Sequence, residues 1–224
     1  ILIAALSDQD EGIREAAAKA LRAVGDVRAV EPLTRAQEDG RYGVRHTADE
    51  ALKELIKRLG QEASFTALVE MLTDRSVQIR RYVAEKLGEV GNRRAIAVVM
   101  NALTDEAVEV KAAAARSLGQ LKAEEAVDAL KNLLRDEAVG VKVAAAVALG
   151  EIGEAARIAI FELSNLLFDE SAAVKIAGAR SLGQLGAVEA IRGLRLLLSD
   201  ASVEVKVAAV VALGQLKAVE AVDE

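Results

Sequence analysis

His46 is the only histidine in the chain, with Tyr42 one helical turn before it and Thr47 after it. Histidine is the residue type most often used for acid–base catalysis, so His46 is where such chemistry would be sought first. Acid–base catalysis also needs a positioned partner, and a solitary histidine is far more often a surface or packing residue. Adjacent carboxylates occur at Asp49-Glu50 and Glu124-Glu125, and adjacent arginines at Arg80-Arg81 and Arg93-Arg94. Sequence neighbours diverge on a helix, so the carboxylate pairs make poor metal or glycosidase sites. The arginines could meet phosphate, but in a chain of net charge −6 they are better placed for solvent or for the chain's own carboxylates. There is no cysteine, which removes disulfides, thiolate metal sites and a cysteine nucleophile together. The expectation is no catalytic residue, no metal and no cofactor, hence no enzyme.

The elements that would position any of these side chains repeat along the chain. An aspartate returns seven times, at Asp8, Asp39, Asp74, Asp105, Asp136, Asp169 and Asp200, with a dominant spacing of 31 residues interrupted once by 35 and once by 33. Six residues after each comes a base: Arg14, Arg45, Arg80, Lys111, Lys142, Lys175 and Lys206. A branched apolar residue always precedes that base, and a leucine always lies thirteen residues after the aspartate. In the unit from Asp105, Val110, Ala114, Ser117, Leu118 and Leu121 recur at the spacing of a buried helical stripe, and Ala126, Val127, Leu130, Leu133 and Leu134 form a second one. Each unit is a helical hairpin, and such a period means stacked hairpins sharing one continuous core.

The aspartate is expected to accept from the N–H groups at the start of the following helix. The base is not its i,i+4 partner, so the expected contact runs between neighbouring repeats and forms a structural ladder of the fourteen residues. Gly88, Gly119, Gly150, Gly183 and Gly214 follow the repeat leucine and suggest close packing. Gly91, Gly153 and Gly186 fit the left-handed residue that ends a helix. Around Leu52–Gly60 the glycine is delayed, which predicts a longer helix and a local change of curvature. Phe65, Phe161 and Phe168 fall in stripes of the second helix and are assigned to the core.

The run Asp136, Val141-Lys142, Ala148-Leu149-Gly150, and likewise Asp169, Val174-Lys175, Ser181-Leu182-Gly183, resembles the short HEAT-like repeat of the phycobilisome-lyase type. The resemblance covers essentially the whole chain. It implies an all-α, right-handed α-solenoid of stacked two-helix repeats, with residues 1–224 as a single domain of about seven units cut short at both ends. It also implies that the helix after the aspartate lines a concave face. The chain departs from the pattern in lacking the common turn proline, since Pro32 is its only one. The diiron hydroxylases of this wide family need several His-Glu pairs, which one histidine cannot supply.

On that concave face the exposed positions carry Tyr42, His46, Arg81 and Tyr82 toward the N-terminus. Farther along they carry Val108, Val139, Val143, Val147, Ile176, Arg180, Val203, Val207 and Val211. A polar, tyrosine-containing end and a valine ridge suggest contact with another protein, since a contiguous apolar patch marks a partner site. The leading expectation is a non-enzymatic scaffold or adaptor. The alternative, implied only by the resemblance, is a bilin lyase or chaperone-like subunit acting on a phycobiliprotein. The acidic balance argues against nucleic acid, and no apolar run approaches a membrane span. A cytoplasmic location is expected, and repeat ends offer a route to self-association.

Overall fold

The computed structural model describes residues 1–62, 65–89 and 91–216, with backbone alone at 27, 53, 56–62 and 65–67. Among them there are helices and no strand. A long helix follows each repeat aspartate, here called leading: α2 (Glu11–Val24), α4 (Tyr42–Glu62), α6 (Val77–Glu89), α8 (Val108–Gln120), α10 (Val139–Ile152), α12 (Ala172–Gln184) and α14 (Val203–Gln215). A short trailing helix precedes each aspartate: α1 (Leu2–Ala5), α3 (Val30–Ala36), α5 (Phe65–Met71), α7 (Ile96–Asn101), α9 (Val127–Leu133), α11 (Ile160–Asn165) and α13 (Ile191–Leu196). The chain divides into two compact units, Ile1–Val83 and Ala84–Glu224. In the first, α1 packs on α2, and α2 and α3 pack on α4. In the second, α8, α10, α12 and α14 pack in sequence, with a trailing helix against each.

The seven aspartates do not cap the helices in the expected manner. In every repeat Oδ1 accepts the backbone N–H two residues on, at 2.7–2.9 Å, and that residue is the one before the leading helix. The carboxylate thus folds the turn that delivers the chain to the helix, as an Asx-turn does. Side-chain caps are supplied elsewhere, by Asp10 to the N–H groups of Gly12 and Ile13, and by Ser202 to that of Val205.

The core is aliphatic. Val110, Val141, Val174 and Val205 are fully buried, as are Leu118, Leu149 and Leu182. Ser117 and Ser181 are buried too, and their hydroxyls donate to Ala84 O at 2.7 Å and Ala146 O at 2.6 Å on the preceding leading helix. Those bonds require the helix backbones to approach closely, which the small residues at the crossing permit. In α4, which at 21 residues is longer than the 13 of α8, the repeat leucine Leu52 is only half-buried and Leu55 becomes the fully buried one.

Leading helices end on a left-handed residue at Gly25 (φ 74°), Gly91 (69°) and Gly186 (63°), with Gly153 also at positive φ (84°). Lys122 occupies the same place in its repeat at φ 49°. A lysine there has its Cβ crowded against the backbone. Lys122→Gly is expected to stabilise the second unit by about 0.5–1 kcal/mol after the added chain entropy of glycine is set against the relieved strain. Urea unfolding of parent and variant measures this, and an unchanged or lowered midpoint would contradict it.

The assignment of Phe161 and Phe168 to the core is overturned: they are 71% and 67% exposed. Spacing within a short trailing helix fixes which residues share a face but not whether that face looks inward. The side chain of Phe65 lies outside the described residues.

Candidate functional site

Consecutive repeats are joined through the base of one and the aspartate of the next. Arg14 forks onto Asp39, with Nε 2.7 Å from Oδ2 and Nη2 3.1 Å from Oδ1. Lys111 Nζ lies 2.5 Å from Asp136 Oδ2, and Lys142 and Lys175 pair in the same way with Asp169 and Asp200. The paired side chains are only 13–19% exposed. The arginines also turn back to their own repeat. Arg14 donates to Asp8 O (2.9 Å) and Gln9 O (3.0 Å), Arg45 to Asp39 O (2.8 Å), and Arg80 to Asp74 O (2.8 Å) and Arg75 O (3.2 Å). A guanidinium has donors enough to bind the carbonyls of one turn and the carboxylate of the next, whereas a lysine ammonium has three and is used here on the carboxylate.

The ladder shifts the carboxyls downward. The hydrogen bond from Arg14, together with the Arg41 N–H, holds Asp39 below the ordinary carboxylate range, and Lys175 with the Ser202 N–H does the same for Asp200. At Asp136 and Asp169 burial is the largest influence and opposes ionisation, but Lys111 with the Ala138 N–H, and Lys142 with the Ser171 N–H, outweigh it. Other cross-repeat pairs were not legible from the repeat, among them Arg116 to Glu85 at 3.3 Å, Arg93 to Glu125 at 3.0 Å and Arg41 to Glu11 at 2.9 Å. Arg157, in the two-residue insertion, donates to Leu185 O at 2.6 Å and so binds a carbonyl at the end of α12. Nothing in the repeat pattern marks these arginines, because their partners lie in another repeat.

The positions assigned to a binding face fall on the leading helices in each unit. In the first unit Tyr42 is 73% exposed and stacks on His46, ring centroids 5.8 Å apart and 3° from parallel. Arg45 sits 5.9 Å from the Tyr42 centroid. His46 and Arg81 are exposed, while Tyr82 is half-buried with its hydroxyl inside. In the second unit Val108, Val139 and Arg180 are exposed, whereas Val143, Val147 and Ile176 are half-buried. Val203, Val207 and Val211 are 65%, 56% and 50% exposed. Val210, absent from the expected set, is exposed as well. Earlier leading helices carry buried alanine there, at Ala84, Ala115, Ala146 and Ala179.

Among the described residues no group of three or more His, Cys, Asp or Glu is placed to hold a metal ion, and no helix is long and apolar enough to cross a membrane. The arrangement is that of a helical-repeat protein whose repeats are joined by packing and ion pairing. The sequence pattern of HEAT repeats matches residues 1–53 and 65–150, and the chain belongs to the HEAT-repeat family. No curated protein matches it by sequence. Among solved structures it is similar to an engineered protein (23% identity, TM-score 0.57, 96% of this chain and 67% of that one). YibA from Escherichia coli is also similar (17%, 0.59, 96% and 91%). The complex of CpcE and CpcF of phycocyanin lyase from Nostoc aligns at 21% identity and TM-score 0.44, over 97% of this chain and 92% of that one. The first two likenesses are of fold, and the third adds nothing to them.

Proposed function

We propose that this chain is a non-enzymatic scaffold that binds another protein through the exposed positions of its leading helices. The observation that carries the reading is the contrast between constant and variable positions. The buried valines and leucines of α8, α10, α12 and α14 recur, while the exposed positions differ in chemistry from helix to helix, with Glu109 and Arg116 beside Val108 in α8 and several valines in α14. Val203, Val207 and Val211 lie on one face of α14, a kind of patch that soluble proteins usually present to a partner. The Tyr42–His46 stack gives the first unit an amphipathic contact of its own.

The test is affinity capture from the source cell's lysate with the parent and a Val139→Asp, Val207→Asp variant as baits. Both side chains are exposed, so the variant should keep the parent's helical circular dichroism and unfolding midpoint. The expected result is one protein retained by the parent and lost by the variant. Equal retention by both baits would reject the leading-helix face, and a visibly coloured eluate would redirect the reading to bilin attachment.

A further inference from the structure

The trailing helices of the second unit present a different surface. On α11 and the 3-10 turns that flank it, Ile158, Phe161 and Phe168 are 62%, 71% and 67% exposed. Leu196 at the end of the neighbouring α13 is 64% exposed. The repeat shows how unusual this is. The second residue of a trailing helix is Asp128 in α9, Phe161 in α11 and Arg192 in α13. The residue before the repeat aspartate is Thr104, Arg135, Phe168 and then Ser199, and the place of Leu196 is held elsewhere by Asn101, Asn132 and Asn165. Two adjoining repeats therefore have apolar side chains at places where the other repeats have polar ones. Two of the chain's three phenylalanines lie there.

We infer that this face is the interface of a symmetric dimer in which α11 of one copy lies antiparallel on α11 of a second. The choice of occupant rests on charge and spacing. Phe161 and Phe168 are seven residues apart, and so are their counterparts in the preceding repeat, Asp128 on α9 and Arg135 in the turn after it. A two-fold axis crossing the chain between Ser164 and Asn165, at the end of α11, sets Phe161 of each copy against Phe168 of the other. Because both spacings are equal, the same axis sets Asp128 against Arg135 twice, and brings Leu196 near its counterpart. Such a contact is isologous and closes at two copies. Asp128 and Arg135 are 79% and 74% exposed, and their present partners are weakly held: Lys131 at 3.1 Å and, at 4.0 Å, Glu162.

The four apolar side chains offer on the order of 500 Å² per copy. A stable interface uses about 800 Å² per partner, so the charged flanks must supply the rest and the dimer is expected to form in the micromolar range. This surface is separate from the leading-helix face of the proposed function, and neither reading depends on the other.

Sedimentation velocity of the purified full chain, from low micromolar to near-millimolar concentration, tests the inference. The parent should pass from monomer to dimer. Phe161→Asp should remain monomeric while keeping its helical circular dichroism, Asp128→Arg should weaken the dimer at least tenfold, and Asp128→Arg with Arg135→Asp should restore it. A parent that stays monomeric throughout overturns the inference and leaves the face to a different protein. Association that survives Phe161→Asp but is lost in Val210→Asp overturns it in favour of end-to-end stacking. A double variant no better than the single one refutes the antiparallel arrangement.

Discussion

Gly119→Ala is expected to destabilise the second unit by about 1–3 kcal/mol, although helix propensity alone would have alanine stabilise α8 by about 1 kcal/mol. A Cβ at Gly119 would stand 2.7 Å from the Cα of Ala148 and 3.0 Å from its Cβ, so the obstruction is the backbone of α10, which cannot rotate aside. Gly88 makes the same approach to Ser117, with 2.8 Å to Cα and 2.6 Å to Cβ. The control lies in the same repeat position. At Gly214 of α14 a Cβ would meet nothing within 4 Å among the described residues, and Gly214→Ala should therefore stabilise by up to about 1 kcal/mol. Opposite signs for one substitution at equivalent positions, read from urea unfolding, would establish that close helix approach and not chain flexibility fixes these glycines. The same sign at both would refute it.

The second large effect is expected at Asp169, whose carboxylate accepts from the Ser171 N–H at 2.9 Å and pairs with Lys142. Asp169→Asn keeps an acceptor for the turn and loses the charge, at a cost of about 1 kcal/mol. Asp169→Ala loses both contacts and leaves a partly buried lysine without its partner, at a cost of about 2–3 kcal/mol. The pH dependence has a definite sign. Despite the opposing effect of burial, Lys142 and the turn hold the folded-state pKa of Asp169 below its ordinary value. Its contribution is then present above about pH 4 and is lost as the pH falls through the folded-state value. The gap in stability between parent and Asp169→Asn should accordingly narrow on acidification. A gap that is constant or widens would show that the ion pair is not its source.

Glu151 has the opposite sign. Burial raises its carboxyl above the ordinary range, with Lys122 pulling the other way. Its Oε2 lies over Gly119, where the next two repeats place Gln184 over Gly150 and Gln215 over Gly183. Glutamine fills the same space without a charge to desolvate. This difference between otherwise equivalent positions follows from which helix covers the glycine, and spacing along one repeat does not contain it.

The helical hairpin, its period and the buried stripe of the leading helices in the second unit were readable from the order of residues, because a helix and a shared core impose their spacing on every unit. Val110, Leu118 and the glycine after it could be placed from Asp105 alone, and the chain's membership of the HEAT-repeat family was visible in the same residues. How the aspartates are used emerged only in the folded chain, since an N–H two residues on competes with those at the helix start. The packed repeats alone showed the carbonyl partners of Arg14, Arg45 and Arg80, the half-burial of Val143, Val147 and Ile176, and the outward turn of Phe161 and Phe168. Periodicity fixes a face of a helix relative to its own axis. Whether that face meets another helix or water depends on residues about thirty positions away, and that is settled only when the repeats stack.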